Sequence, residues 1–217
     1  MKELPYLISL INSMKGEICY SYIKKIVSFD DKYKEIEDIK DQKIIDVLRH
    51  GGYIQFQFSQ DAILVDLSDT GSFVLTEDDE YENSLIKIET DNGNLFIVED
   101  KKTGQEITNI IPIWKDFTTM PKVGYDPLTK QFNYNLFLQL LEENDTTVEK
   151  LITNPLIISG IGKNFSVLIL KRAGITKKTK TTEINKVKAR EIFDAIKQVL
   201  REETGSSEED EVDSSDE

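Results

Sequence analysis

Apolar side chains at Leu4, Leu7, Ile8, Leu10, Ile11 and Met14 return at helical spacing behind Pro5, a residue suited to a first helical turn. The chain therefore opens with a short amphipathic helix. From there to about residue 114 the pattern shortens toward period two. Tyr53-Ile54-Gln55-Phe56-Gln57-Phe58 alternates apolar with polar positions, and Ala62 to Leu67 is a short apolar run. Leu85 to Thr90 and Leu95 to Glu99 flank Asp91-Asn92-Gly93-Asn94, a hairpin signal because Asn-Gly tolerates the positive φ of a tight turn.

Beyond Asp126-Pro127 the period lengthens again. Phe132, Leu136, Phe137, Leu140 and Leu141 share one helical face, Val148 to Ile152 predicts a second helix, and Phe165 to Lys171 a third. Ile184, Val187, Ile192, Phe193, Ile196, Val199 and Leu200 mark a long fourth. The expected class is α+β: a helix and an antiparallel β-sandwich over residues 1–120, an all-α domain over 125–204, and a disordered acidic tail over 205–217.

Composition narrows this picture. The 217 residues are 39% hydrophobic and 31% charged with a formal net charge of −13, which supplies apolar mass for one large core or two small ones. Cys19 is the one cysteine, so neither a disulfide framework nor a zinc site of several thiolates is expected, and no cofactor is implied. His50 and the carboxylates Glu77 to Glu80 read as loop residues rather than metal ligands. The first residues show no leader pattern, and no apolar stretch approaches the roughly 20 residues of a membrane span. An intracellular protein, nuclear or cytoplasmic and not held at a membrane, is the expectation. Against the acidic total, Lys163 to Arg190 gathers nine positive charges against Glu183 alone, a footprint that attracts phosphates or else a solvated lysine-rich surface.

Four stretches in order are similar to the formamidopyrimidine-DNA glycosylase and endonuclease VIII family of base-excision repair enzymes. They are Met1-Lys2-Glu3-Leu4-Pro5, Val65 through Phe73, Asp126-Pro127-Leu128, and Gly160-Ile161-Gly162-Lys163 running to Leu170-Lys171-Arg172-Ala173-Gly174-Ile175. The last resembles the family's helix-two-turn-helix signature. A Gly-x-Gly turn that opens a helix brings backbone N–H groups and a partial positive charge to an anion. The resemblance implies that this turn grips a phosphate, with Lys163 standing where the family has asparagine. It implies a nucleic-acid surface formed by Gly160, Gly162, Lys163, Asn164, Lys171, Arg172, Lys177 and Lys178.

The chemistry of the family is where the sequence departs. The family's nucleophile is the amine of a proline exposed by removal of the initiator methionine, and Lys2 stands at that position. Glu3 matches the family's catalytic carboxylate, and it also suits a helix N-terminus. The glutamate expected after Pro5 is Tyr6, and the family's strand lysine aligns with Gly52. The apolar wedge that fills the gap left by a flipped base falls at Asp69, and no arginine lies between Arg49 and Arg172 to supply the intercalating loop. The family's zinc finger would begin near Glu203, where an acidic segment without Cys or His follows.

Three functions follow from these residues. The first is a catalytically degenerate relative that binds a nucleic-acid backbone, whether DNA or structured ribosomal RNA. The second is an active glycosylase/AP lyase in which Lys2 is the nucleophile and Glu3 the acid. The third is a ribosome-associated or protein-interaction factor on the same scaffold. The tail, whose Ser206, Ser207, Ser214 and Ser215 lie among seven carboxylates, is expected to contact the chain's own positive charge.

Overall fold

A computed structural model describes residues 2–100, 108–114 and 120–205. The expected disorder of the tail concerns residues that, apart from Gly205, lie outside this range. Contacts divide the chain into two compact units, one of Met1–Lys2 with Leu7–Pro121 and the other of Glu3–Tyr6 with Lys122–Glu217. The class is α+β. No helix among the described residues is long and apolar enough to cross a membrane.

Helix α1 (Leu4–Ile18), which joins the first unit from Leu7, is followed among the described residues by eight strands: β1 (Ile23–Ser28), β2 (Ile44–His50), β3 (Tyr53–Phe58), β4 (Ala62–Asp66), β5 (Gly71–Thr76), β6 (Ser84–Thr90), β7 (Gly93–Glu99) and β8 (Asn109–Ile113). They form two four-stranded sheets, in the orders β1-β6-β7-β5 and β2-β3-β4-β8, with every pairing antiparallel. Period-two alternation explains how β4 serves two apolar groups at once. Ile63 and Val65 enter the main core, while Ala62 and Leu64 join Ile113 in a smaller cluster on the opposite face. The main core takes Leu7, Ile11, Met14 and Ile18 from α1, one per helical turn.

Two turns depart from the sequence expectation. At the β6–β7 hairpin Thr90 pairs with Gly93, so the two-residue loop is Asp91-Asn92. Only Gly93 carries a positive φ, of 124°, because the Thr90 hydroxyl accepts from the Asn92 N–H and fixes the turn before it. The second is a hairpin the alternation did not reveal, where Gly51-Gly52 joins β2 to β3 and Gly51 takes φ 60°. A 3-10 segment, Asp31–Asp38, was likewise hidden by its polar sequence; it buries only Tyr33 and Ile36.

In the second unit, α2 (Tyr134–Glu143), α3 (Val148–Ile152), α4 (Lys163–Arg172) and α5 (Lys186–Thr204) enclose a core of their own. Phe132, fully buried, lies 5.6 Å from Phe193 and 6.0 Å from Phe137 between ring centroids. Side-chain caps start three helices: Asn133 for α2, Thr147 for α3 and Asn185 for α5 each accept from a backbone N–H of the first turn. Helix α4 ends on Gly174 at φ 64°, with Ile175 N–H bonded to Leu170 O and Gly174 N–H to Lys171 O, a Schellman closure. Gly124 must be glycine for a different reason. A β-carbon there would lie 2.3 Å from the Ile157 carbonyl carbon, where the chain runs beside Pro155 to Ile158.

Truncating Phe132 removes the ring on which this core closes, so Phe132→Ala is expected to cost about 3–5 kcal/mol in urea unfolding. Val187→Ala, at a side chain 71% exposed, should stay within about 0.5 kcal/mol.

Candidate nucleic-acid interface

The Gly160-Ile161-Gly162 turn delivers the chain into α4 with Gly162 as its N-cap, and Gly162 has no side chain to satisfy the first N–H groups. Glu3 satisfies them instead. Its Oε1 accepts from the backbone N–H of Asn164 at 2.9 Å and of Phe165 at 3.2 Å, and its Oε2 accepts from the Asn164 side-chain amide at 2.9 Å. Leu4 N–H donates to Gly160 O at 2.9 Å. The first turn of α1 therefore groups with the second unit and not with the sandwich.

The carboxylate of Glu3 sits on the dipole of α4 rather than of its own helix, beside the Gly160–Gly162 turn. Both glycines are needed for the approach. A β-carbon at Gly162 would stand 2.4 Å from Glu3 Oε1, and one at Gly160, already at φ 80°, would stand 2.9 Å from Leu4.

Along α4 every fourth residue lies on the same face. Lys163, Val167 and Lys171 form one exposed row, and Asn164, Leu168 and Arg172 the next. Val167 and Leu168 stand exposed on this helix although the stretch is apolar. A stretch such as Val167-Leu168-Ile169-Leu170 cannot turn all its side chains inward on a helix, and only Ile169 and Leu170 are buried. The predicted cations divide into two groups. Lys163, Lys171 and Lys178 are exposed and form no ion pair within 4 Å among the described residues. Arg172 pairs with Glu202 at 2.8 Å and Lys177 with Glu149 at 3.1 Å. The Arg172 hydrogen bond holds the Glu202 carboxyl below its usual range and raises the guanidinium above its own. Lys177 and Lys178 follow the Schellman closure of α4, so the structure places them on the loop rather than on the helix.

The residues that departed from the family pattern are placed as follows. Lys2 lies in the first unit and donates its ammonium N–H to the Asp69 carbonyl at 2.6 Å. Asp69 belongs to a turn stapled by Ser68, whose hydroxyl donates to Glu99 at 2.6 Å and accepts from Gly71 N–H at 2.9 Å. Glu99 also accepts from Thr108 N–H, so a buried carboxylate anchors the segment. Tyr6 is exposed. Gly52 lies in the Gly51-Gly52 turn, and the ring Nε2 of His50 is 2.8 Å from Pro121 O, which makes His50 a hairpin residue. Asp79, from the carboxylate run, pairs with the buried Lys87 at 3.2 Å.

No protein-family model matches the chain. Among curated proteins it is similar to the formamidopyrimidine-DNA glycosylase of Lactobacillus helveticus, 24% identical over 200 residues that cover 90% of this chain and 72% of that one. With the same-named protein of Histophilus somni it shares 25% identity over 211 residues, 93% of this chain and 77% of the other. Among solved structures it matches the Lactococcus lactis formamidopyrimidine-DNA glycosylase, non-covalently bound to DNA containing an AP site. The TM-score is 0.83 at 17% identity, covering 94% of this chain and 82% of that one. The MutM (Fpg) protein of Thermus thermophilus gives 0.81 at 18% identity over 94% and 76%. In sequence and in fold the chain is thus similar to the formamidopyrimidine-DNA glycosylases.

Removing the Glu3 carboxylate leaves the first N–H groups of α4 without their partner. Glu3→Ala is expected to lower stability by about 1–2 kcal/mol and Glu3→Gln by roughly half as much, read as shifts of the thermal unfolding midpoint. A second expectation concerns Cys19, whose thiol is pushed up by burial and by the Asp46 carboxylate beside it. A raised thiol holds less of the reactive thiolate, so Cys19 should alkylate with iodoacetamide at neutral pH several-fold more slowly than free cysteine. The rate should rise as pH is raised.

Proposed function

We propose that this protein binds a nucleic-acid backbone through the helical segment 125–204 without carrying out the glycosylase and lyase chemistry named for its relatives. The carrying observation is the exposed face of α4. Lys163 and Lys171 flank Val167 two turns apart, beside the Gly160–Gly162 turn and the Lys177-Lys178 loop. Lysine binds phosphate as a point charge on a flexible stem, which suits backbone contacts that position a protein without reading bases. DNA is the favoured ligand, since the Lactococcus lactis protein of the same fold was solved on DNA.

The non-catalytic reading draws support from the residues at the family's reactive positions. A Schiff base requires an amine that reaches a sugar carbon, and the Lys2 amine is engaged with the Asp69 carbonyl. Both Glu3 oxygens are engaged on α4. Asp69 at the wedge position would bring a charge beside phosphates into the base stack, which opposes extrusion of a base. The active reading assigns nucleophile and acid to Lys2 and Glu3, and the two readings separate in one assay.

Incubation with abasic or oxidised-base DNA and borohydride is expected to trap no adduct. An adduct lost in Lys2→Ala would establish the lyase. In titrations with duplex DNA, Lys163→Ala with Lys171→Ala should weaken all sequences alike and shallow the salt slope by about one unit per lost phosphate contact. Unchanged affinity would remove the α4 face from the interface.

A further inference from the structure

The second unit holds a cleft of about 490 Å³ that shares no residue with the α4 face. Helix α5 contributes Arg190, Asp194, Lys197 and Arg201, successive positions three or four apart on one side of the helix, and Lys130 and Tyr134 stand opposite. Four cations thus meet one carboxylate. Two of them, Lys197 and Arg190, are held in place by the protein's own contacts. The Lys197 ammonium, on a residue only 8% exposed, donates to Thr129 O at 3.2 Å and lies 5.9 Å from the Phe132 and Phe193 ring centroids. The Arg190 guanidinium centres 4.3 Å over the Tyr134 ring and 4.0 Å from Asp194.

This chemistry selects an anion, and it selects against a nucleotide. Phe132 and Phe193 are buried, and Arg190 covers one face of the half-buried Tyr134 ring, so little ring surface remains on which a base would stack. An acidic peptide needs only the charges. The chain supplies one at the end of the same helix. Residues 206–217 hold seven carboxylates and no basic side chain. Helix α5 closes on Gly205 at φ 67°, whose N–H donates to Arg201 O, a left-handed closure that ends the helix. Arg190, the most distant cation on α5, lies fifteen residues before Gly205, about 22 Å along the helix, and twelve extended residues reach up to about 40 Å.

We propose that the cleft is the docking site of the chain's own segment 206–217, its carboxylates pairing with Lys130, Arg190, Lys197 and Arg201. Tethering makes the contact intramolecular, at an effective concentration on the order of millimolar, so exposed pairs that are weak one by one act together. The inference stands independently of the nucleic-acid reading.

Zero-length carbodiimide coupling on the full chain, which joins a carboxylate to a lysine amine as an amide, tests it when the products are mapped by mass spectrometry. At low salt the coupled peptides should join Lys130 or Lys197 to carboxylates of 208–217, and the yield should fall about fivefold or more near 0.5 M salt as screening sets in. Arg190→Glu with Arg201→Glu should lower the yield to a similar degree, with circular dichroism confirming that the helices remain. Coupling to Lys163, Lys171, Lys177 or Lys178 instead, or an absence of tail coupling, overturns the proposal. So do links found only between isotopically distinct copies, which would assign the cleft to a second molecule.

Discussion

The N-terminus of a ten-residue helix, opened by a glycine that cannot cap it, is the constraint on which the candidate interface depends. Unpaired N–H groups at such an end demand an acceptor. This chain supplies it from residue 3, across 161 positions of sequence. The bond fixes where the chain starts relative to the Gly160–Gly162 turn, orients the Asn164 amide, and leaves Lys163 and Lys171 as the charged groups on the outer rows of α4. The outward chemistry of α4 thus rests on lysines rather than on bare backbone donors.

The regular elements were legible in the sequence because each buries apolar side chains, on one face in the helices and on both in β4. The alternation through β3, the short run of β4 and the four apolar stripes of the second half all declared themselves by period. Less legible were the elements whose cause lies elsewhere in the chain. The Asp31–Asp38 segment is polar, and only the long-range burial of Tyr33 and Ile36 explains it. The positive φ at the β6–β7 hairpin settled on Gly93 alone because a threonine hydroxyl fixed the turn before it. The role of Glu3 could not be read from its own neighbourhood, where an acidic residue before Leu4-Pro5 reads as a carboxylate serving the helix it opens. Its steric complement was in view: glycine at 162 signals a close approach, though not by what.

The fold is shared with the formamidopyrimidine-DNA glycosylases, and its motifs can be explained locally. Ser68, Gly71, Thr108 and Glu99 lock the turn containing Asp69 through a buried carboxylate, so retention of that motif is accounted for by packing without reference to catalysis. A β-carbon at Gly71 would meet the Thr108 hydroxyl at 2.2 Å, which explains the glycine on the same grounds. Sequence similarity across these stretches therefore reports the scaffold first.

The contact between Glu3 and Gly162 has an evolutionary side as well. Because the carboxylate occupies the space that any side chain at 162 would need, position 162 can change only after residue 3 has done so. A methyl group at 162 becomes tolerable when residue 3 shortens to aspartate or withdraws from the helix end, and a longer acid at 3 excludes everything but hydrogen at 162. The restriction runs one way: residue 3 holds position 162 to glycine, whereas glycine at 162 places no steric demand on residue 3.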